Sequence, residues 1–125
     1  MDELVLIVDD NERNVRLARD VLQISGFRTL EASTGGESIS LATEHLPDVV
    51  LMDIRLPDMD GTEALRVLRA SEATSSIPVV AVTALAMKGD RERFLEAGFD
   101  GYLEKPIDVR EFPGQVRGFC EPKRS

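Results

Sequence analysis

The sequence holds one cysteine, Cys120, so no internal disulfide can staple the chain; this fits a reducing compartment. It holds one histidine, His45, placed late in a helical stretch and read as a surface residue. Basic residues are the minority: 15 Lys and Arg against 23 Asp and Glu leave a net charge of -8. That balance argues against a nucleic-acid surface, which needs clustered Lys and Arg, and favours cations or basic partners. No long apolar run occurs. The N-terminal run, Leu4 to Val8, is five residues long and has no basic segment before it. It is neither a signal peptide nor a membrane span, and the cytoplasm is the expected compartment. Repeats, linkers and low-complexity stretches are also missing. A chain of 125 residues with 42% hydrophobic and 30% charged side chains therefore reads as one soluble globular domain, residues 1–125, with residues 121–125 as a frayed tail.

What is present is an alternation. Val49-Val50-Leu51-Met52 is an unbroken apolar run, as expected of a strand buried on both faces, and Asp53 closes it. Leu4 to Val8 is a second such run, closed by Asp9-Asp10-Asn11, with Asn11 or Asn14 as the cap of the helix that follows. That helix presents Val15, Ala18, Val21 and Leu22 on one face and stops near Gly26. Phe27 to Ala32 reads as a strand, followed by a helix that Pro47 ends. After Asp53 a loop, Leu56 to Gly61, leads into a helix burying Ala64, Leu65 and Leu68, with Asp60 and Glu63 at capping-box spacing. Ile77 to Val82 is the fourth strand and ends at Thr83; a helix starts near Met87 to Asp90 and stops at Gly98. Phe99 to Leu103 contains the fifth strand. Asp108 is expected to cap a last helix with Val109, Phe112, Val116 and Phe119 at helical spacing. Strand–helix alternation of this kind implies an α/β fold, a doubly wound five-stranded parallel sheet with helices on both faces.

The carboxyl ends of the strands carry the chemistry. They offer Asp9 and Asp10, then Asp53, then Thr83, and Lys105 in the loop after the fifth strand. If the strands lie in the order 2-1-3-4-5, these side chains share one cleft at the switch point. Carboxylates about 4 Å apart repel by about 4 kcal/mol at an effective dielectric near 20, so the site suits a cation. Oxygen-only ligands in a wet cleft suit Mg²⁺. Asp53 is then a ready nucleophile for in-line phosphoryl transfer, with Lys105 and Thr83 as donors to the transferring oxygens. Cys120 reads as a packing residue.

With these residues in place, the sequence resembles the CheY-like response-regulator receiver family over residues 3–120. The matching motifs are Val8-Asp9-Asp10-Asn11, Asp48 to Asp53, Leu56-Pro57-Asp58-Met59-Asp60-Gly61, Val82-Thr83-Ala84 and Lys105-Pro106. The resemblance implies the following. Asp53 is the phospho-acceptor. Mg²⁺ is held by the carboxylates of Asp10 and Asp53, by Asp9 through water and by the backbone carbonyl of Arg55. Thr83 and Tyr102 are the switch pair, Lys105 contacts Asp53 or its phosphate, and the Lys105–Pro106 bond is cis. The donor is a phosphohistidine on a sensor histidine kinase or phosphotransfer protein, and the readout is a downstream protein target that binds the fourth helix, fifth strand and fifth helix. The chain looks like the single-domain, DivK-like class, a switch that catalyses only its own phosphotransfer and slow self-dephosphorylation.

Three features depart from the family pattern. Pro113-Gly114 falls where the last helix should continue, so the helix is expected to kink or to restart at Pro113. Arg55, two residues past Asp53, is expected at the cleft rim, pairing with Asp9 or shielding the phosphate and so slowing its loss. Ala84 leaves the site open to a partner. Three other functions fit less well. A haloacid-dehalogenase-type hydrolase lacks its general acid, because Arg55 stands in that place. A binding adaptor that is never phosphorylated would not need the complete acidic set. A flavodoxin-like carrier would need a phosphate loop where this chain has acids.

Overall fold

The computed structural model of the chain describes residues 3–84 and 89–120. Ten elements alternate: β1 (Leu4–Val8), α1 (Glu12–Ile24), β2 (Arg28–Ala32), α2 (Gly35–His45), β3 (Val49–Asp53), α3 (Gly61–Ala70), β4 (Val79–Thr83), α4 (Asp90–Ala97), β5 (Gly101–Glu104) and α5 (Phe112–Cys120). The five strands form one parallel sheet in the order β2-β1-β3-β4-β5. The order reverses between β1 and β3, so the loops after those strands part and leave a crevice at their carboxyl ends.

Strand alternation divides the core into two layers. Leu6, Val8, Val50, Met52, Val79 and Ala81 face one side, where Ala42, Ala64, Leu65, Leu68 and Phe94 bring α2, α3 and α4 against them. Val5, Ile7, Val49, Leu51, Val80 and Leu103 face the other, against Val15, Ala18 and Leu22 of α1 and Phe112 and Val116 of α5. Every residue of β3 is buried, as an apolar run covered on both faces requires.

Several boundaries differ from the sequence expectation. Phe27 is buried but precedes β2, which starts at Arg28. β4 starts at Val79, although the Pro78 carbonyl already accepts from Val50 N–H at 2.9 Å. The last helix needs a larger correction. Asp108 caps a turn, its Oδ1 accepting from Arg110 N–H at 2.9 Å, and α5 itself begins only at Phe112. Pro113 therefore sits in the first turn, where its missing N–H costs no bond. Val109 lies in the turn, half exposed at 50%, and does not share the buried face of Phe112 and Val116. The fourth helix, expected to start near Met87 to Asp90, begins at Asp90; Met87 itself and the tail at 121–125 lie outside the described residues.

Candidate functional site

Asp9 follows β1 directly and is buried, while Asp10 beside it is exposed. Asn11 turns the chain into α1: its Oδ1 accepts from the N–H groups of Arg13 and Asn14 at 2.9 and 3.1 Å, which settles which asparagine is the cap. Asn14 has a different task. Its side-chain amide donates to Asp9 Oδ2 at 3.4 Å, while Asn11 N–H donates to Asp9 Oδ1 at 2.9 Å. The hold of Asn14 on Asp9 was not anticipated; its signal is the one-turn spacing that brings it back over the strand end.

Asp53 is the last residue of β3 and is 7% exposed. Its Oδ1 accepts from Arg55 N–H at 3.4 Å. Immediately behind it the chain must admit the first turn of α3. Gly61 N–H donates to Ile54 O at 2.7 Å, and a Cβ on Gly61 would stand 2.5 Å from the carbonyl oxygen of Asp53. Only glycine fits there.

Lys105 enters from the loop after β5. Its N–H donates to Thr83 O at 2.9 Å and its bond to Pro106 is cis, as the family resemblance implied. The ammonium reaches Asp9 Oδ2 at 2.8 Å and Asp53 Oδ2 at 3.4 Å. The tighter partner is thus Asp9, which the sequence reading had left to water and to Arg55. Arg55 is exposed, and it is its backbone that pairs, in an isolated antiparallel bridge with Asp60.

Carboxylate oxygens of Asp9, Asp10 and Asp53 all lie within 4.8 Å of one another. Each ionised pair at that range repels by about 3 kcal/mol at an effective dielectric near 20. Burial pushes the Asp53 carboxyl above its ordinary range; the Lys105 charge pulls it down and Asp9 pushes it up again, with a net rise. Burial pulls the Lys105 ammonium down, but its hydrogen bond to Asp9 and the charge of Asp53 outweigh that, and the net shift is upward. A cluster of hard oxygen donors with no sulfur or imidazole fits Mg²⁺.

Thr83 ends β4 and is buried, one residue past the Val82 that pairs with Asp53. By alternation it follows Val79 and Ala81 towards the α2–α3–α4 layer. Tyr102, paired with Ala81 across β4 and β5, stacks on Phe94 of α4 with ring centroids 5.7 Å apart and planes at 23°. The strand tips therefore gather Asp9, Asp10, Asp53 and Lys105 in one cleft. Thr83 stands at the adjoining tip, and Tyr102 behind it on the α4 side.

This arrangement, on a sheet of this order, defines a phosphoacceptor signalling domain. Residues 5–117 match the response regulator receiver domain, and the chain belongs to that family. It is 44% identical over 119 residues to the polar-differentiation response regulator DivK of Brucella ovis, covering 95% of this chain and 97% of that protein. Among solved structures, it is similar to the receiver domain of the sensor histidine kinase PA1611 from Pseudomonas aeruginosa, which has a magnesium ion coordinated in its active-site cleft. That match has 34% identity and a TM-score of 0.87, over 96% of this chain and 98% of that one. A response regulator from Chloroflexus aurantiacus superposes with a TM-score of 0.89 at 28% identity, over 96% and 98% of the two chains. The chain is accordingly a DivK-like response regulator receiver of two-component signalling, a family in which phosphorylation falls on aspartate.

Proposed function

We propose that Asp53 is the aspartate that takes the phosphoryl group, donated by the phosphohistidine of a sensor histidine kinase or phosphotransfer protein in the cytoplasm. The observation that carries this reading is the convergence of Asp9, Asp10 and Asp53 with Lys105 at one pair of strand tips. An Asp53 carboxylate oxygen attacks phosphorus in line. The O–P bond forms as the N–P bond of the phosphohistidine breaks, and the departing imidazole nitrogen keeps the electron pair and takes a proton from solvent. No general base is needed, because the nucleophile is already ionised.

Asp10 and Asp53, with Asp9 and the Arg55 carbonyl, are the groups that would hold Mg²⁺; when bound, the ion screens carboxylate from phosphoryl oxygens and neutralises charge on the transferring group. Lys105 is within reach of Asp53 and turns its ammonium from Asp9 to the phosphoryl oxygens. Thr83 supplies a hydroxyl from the next strand tip. Its movement towards the phosphate frees space into which Tyr102 rotates, so that a surface of α4, β5 and α5 changes and a downstream protein reads it. Beyond its own phosphotransfer and the hydrolysis of the acyl phosphate the protein catalyses nothing.

Incubation with acetyl phosphate and MgCl₂ should add one phosphoryl group to the wild-type protein, read by intact-mass spectrometry, and none to Asp53→Asn. Uptake by Asp53→Asn, or none by the wild type from acetyl phosphate or any sensor kinase in a panel, would sink the reading.

A further inference from the structure

The loop from Ile54 to Asp60 carries the Arg55 carbonyl. Its two ends are fixed by the backbone: β3 holds one side, and at the other Arg55 bridges Asp60 and Gly61 N–H donates to Ile54 O at 2.7 Å. The apex, Leu56 to Met59, lies beyond that base. It rests on α2. Asp58 Oδ1 accepts from Gly35 N–H at 2.8 Å and Asp58 Oδ2 from Gly36 N–H at 2.9 Å. The Met59 side chain lies over Gly35 so closely that a Cβ there would collide with it.

The first four N–H groups of α2 are thereby accounted for. Gly35 and Gly36 donate to Asp58, Glu37 donates to Thr34 Oγ1 at 3.0 Å, and Ser38 donates to Thr34 O at 3.0 Å. Thr34 is the helix's own cap. Asp58, 22 or 23 residues away in the chain, is a second cap brought by the loop, and both its oxygens are occupied by it. The two N–H bonds, that from Gly36 first, hold the Asp58 carboxyl below its ordinary range, so it stays ionised and bonded throughout the neutral range.

We propose that Asp58 is a positioning residue for the divalent-cation site: its carboxylate staples the loop apex to the N-terminus of α2 and so fixes the Arg55 carbonyl, without itself contacting the ion. This rests on the reading above, in which Arg55 lends its carbonyl to Mg²⁺. Closed at its base by the Arg55–Asp60 bridge, the loop can still tilt as a unit about the end of β3 and carry the Arg55 carbonyl with it, and a divalent ion that demands near-octahedral geometry is sensitive to that tilt. The staple removes the freedom before the ion arrives.

Calorimetric titration of MgCl₂ into the purified protein tests this, with a thermal melt of each variant alongside. Asp58→Ala is expected to weaken Mg²⁺ binding by about tenfold. Asp58→Asn keeps one acceptor oxygen and should fall between wild type and alanine. Thr34→Ala is the control. It removes a cap whose side-chain bond runs to Glu37 N–H within the helix and not to the loop, so it should lower the melting temperature and leave the Mg²⁺ dissociation constant alone. Wild-type affinity in Asp58→Ala overturns the staple. So does equal weakening in Asp58→Ala and Thr34→Ala, which would assign the effect to helix stability. Equal weakening in Asp58→Asn and Asp58→Ala would assign it to lost charge and overturn it as well. If Asp58→Ala melts below the working temperature, Asp58→Asn against Thr34→Ala decides by the same criteria. A wild type that takes up no Mg²⁺ overturns the cation reading itself, and the staple with it.

Discussion

Burial raises the Asp53 carboxyl, Lys105 lowers it and Asp9 raises it again, leaving it above its ordinary range. The folded chain then binds that proton more tightly than the unfolded chain does, so ionised Asp53 costs stability at neutral pH. The cost applies above the folded value and vanishes once pH falls below the unfolded value, about 3.9 for aspartate. Lys105 behaves oppositely. Its raised value stabilises the fold at all pH below the unfolded lysine value, about 10.4, and that contribution is lost as pH climbs through the folded value. Asp53→Asn should therefore melt higher than wild type at pH 7, because Lys105 keeps Asp9 as its partner at 2.8 Å. For a domain of this size each kcal/mol relieved is about 3–5 °C in Tm. The advantage should shrink to nothing as pH falls below about 4. Equal melting temperatures at pH 7, measured by circular dichroism without added metal, would refute this. The acids and Lys105 were legible in the sequence because each ends or follows a conspicuous apolar run. The bond between Asp9 and Lys105 was not legible, since it joins residues 96 positions apart through the strand order.

At the scale of elements, α5 is where local pattern and fold diverge. Val109, Phe112, Val116 and Phe119 keep helical spacing, yet only the last three lie on α5. The periodicity runs on through a turn that Asp108 closes, its carbonyl accepting from Glu111 and Phe112 N–H at 3.1 and 2.8 Å. Pro113 explains the late start: it tolerates the first turn and no deeper position. Pro113→Ala should therefore change stability by less than about 1 kcal/mol, far from the roughly 3 kcal/mol that relieving a mid-helix proline would return. A chemical-denaturation midpoint that rises by the larger amount would place the proline inside a continuous helix. The other elements were readable to within a few residues, since capping residues such as Asn11, Thr34 and Asp60 announce helices locally.

At the scale of the whole molecule, the two edges of the sheet serve different ends. Opposite the acidic cleft, Arg69 of α3 donates to Ser75 O at 3.1 Å, Ile77 O at 2.7 Å, Gly98 O at 3.2 Å and Asp100 Oδ2 at 2.7 Å. One guanidinium thus ties α3, the approach to β4 and the end of α4 together. No local pattern marks it, because its acceptors are mostly backbone carbonyls assembled by the fold. Arg69→Ala should destabilise the domain by about 1–2 kcal/mol, since four bonds to partly exposed acceptors are lost together, and lysine should restore only part of that. Phosphoryl uptake per folded molecule should stay at the wild-type level; a loss of uptake in protein that remains folded would contradict the separation. At the acidic edge, Lys105 has a consequence of its own. A positive charge that is built into the polypeptide cannot be dialysed away, so the cluster is never left to its own repulsion when the cell's free cations run low. The regulator can idle intact between signals and resume from the same shape.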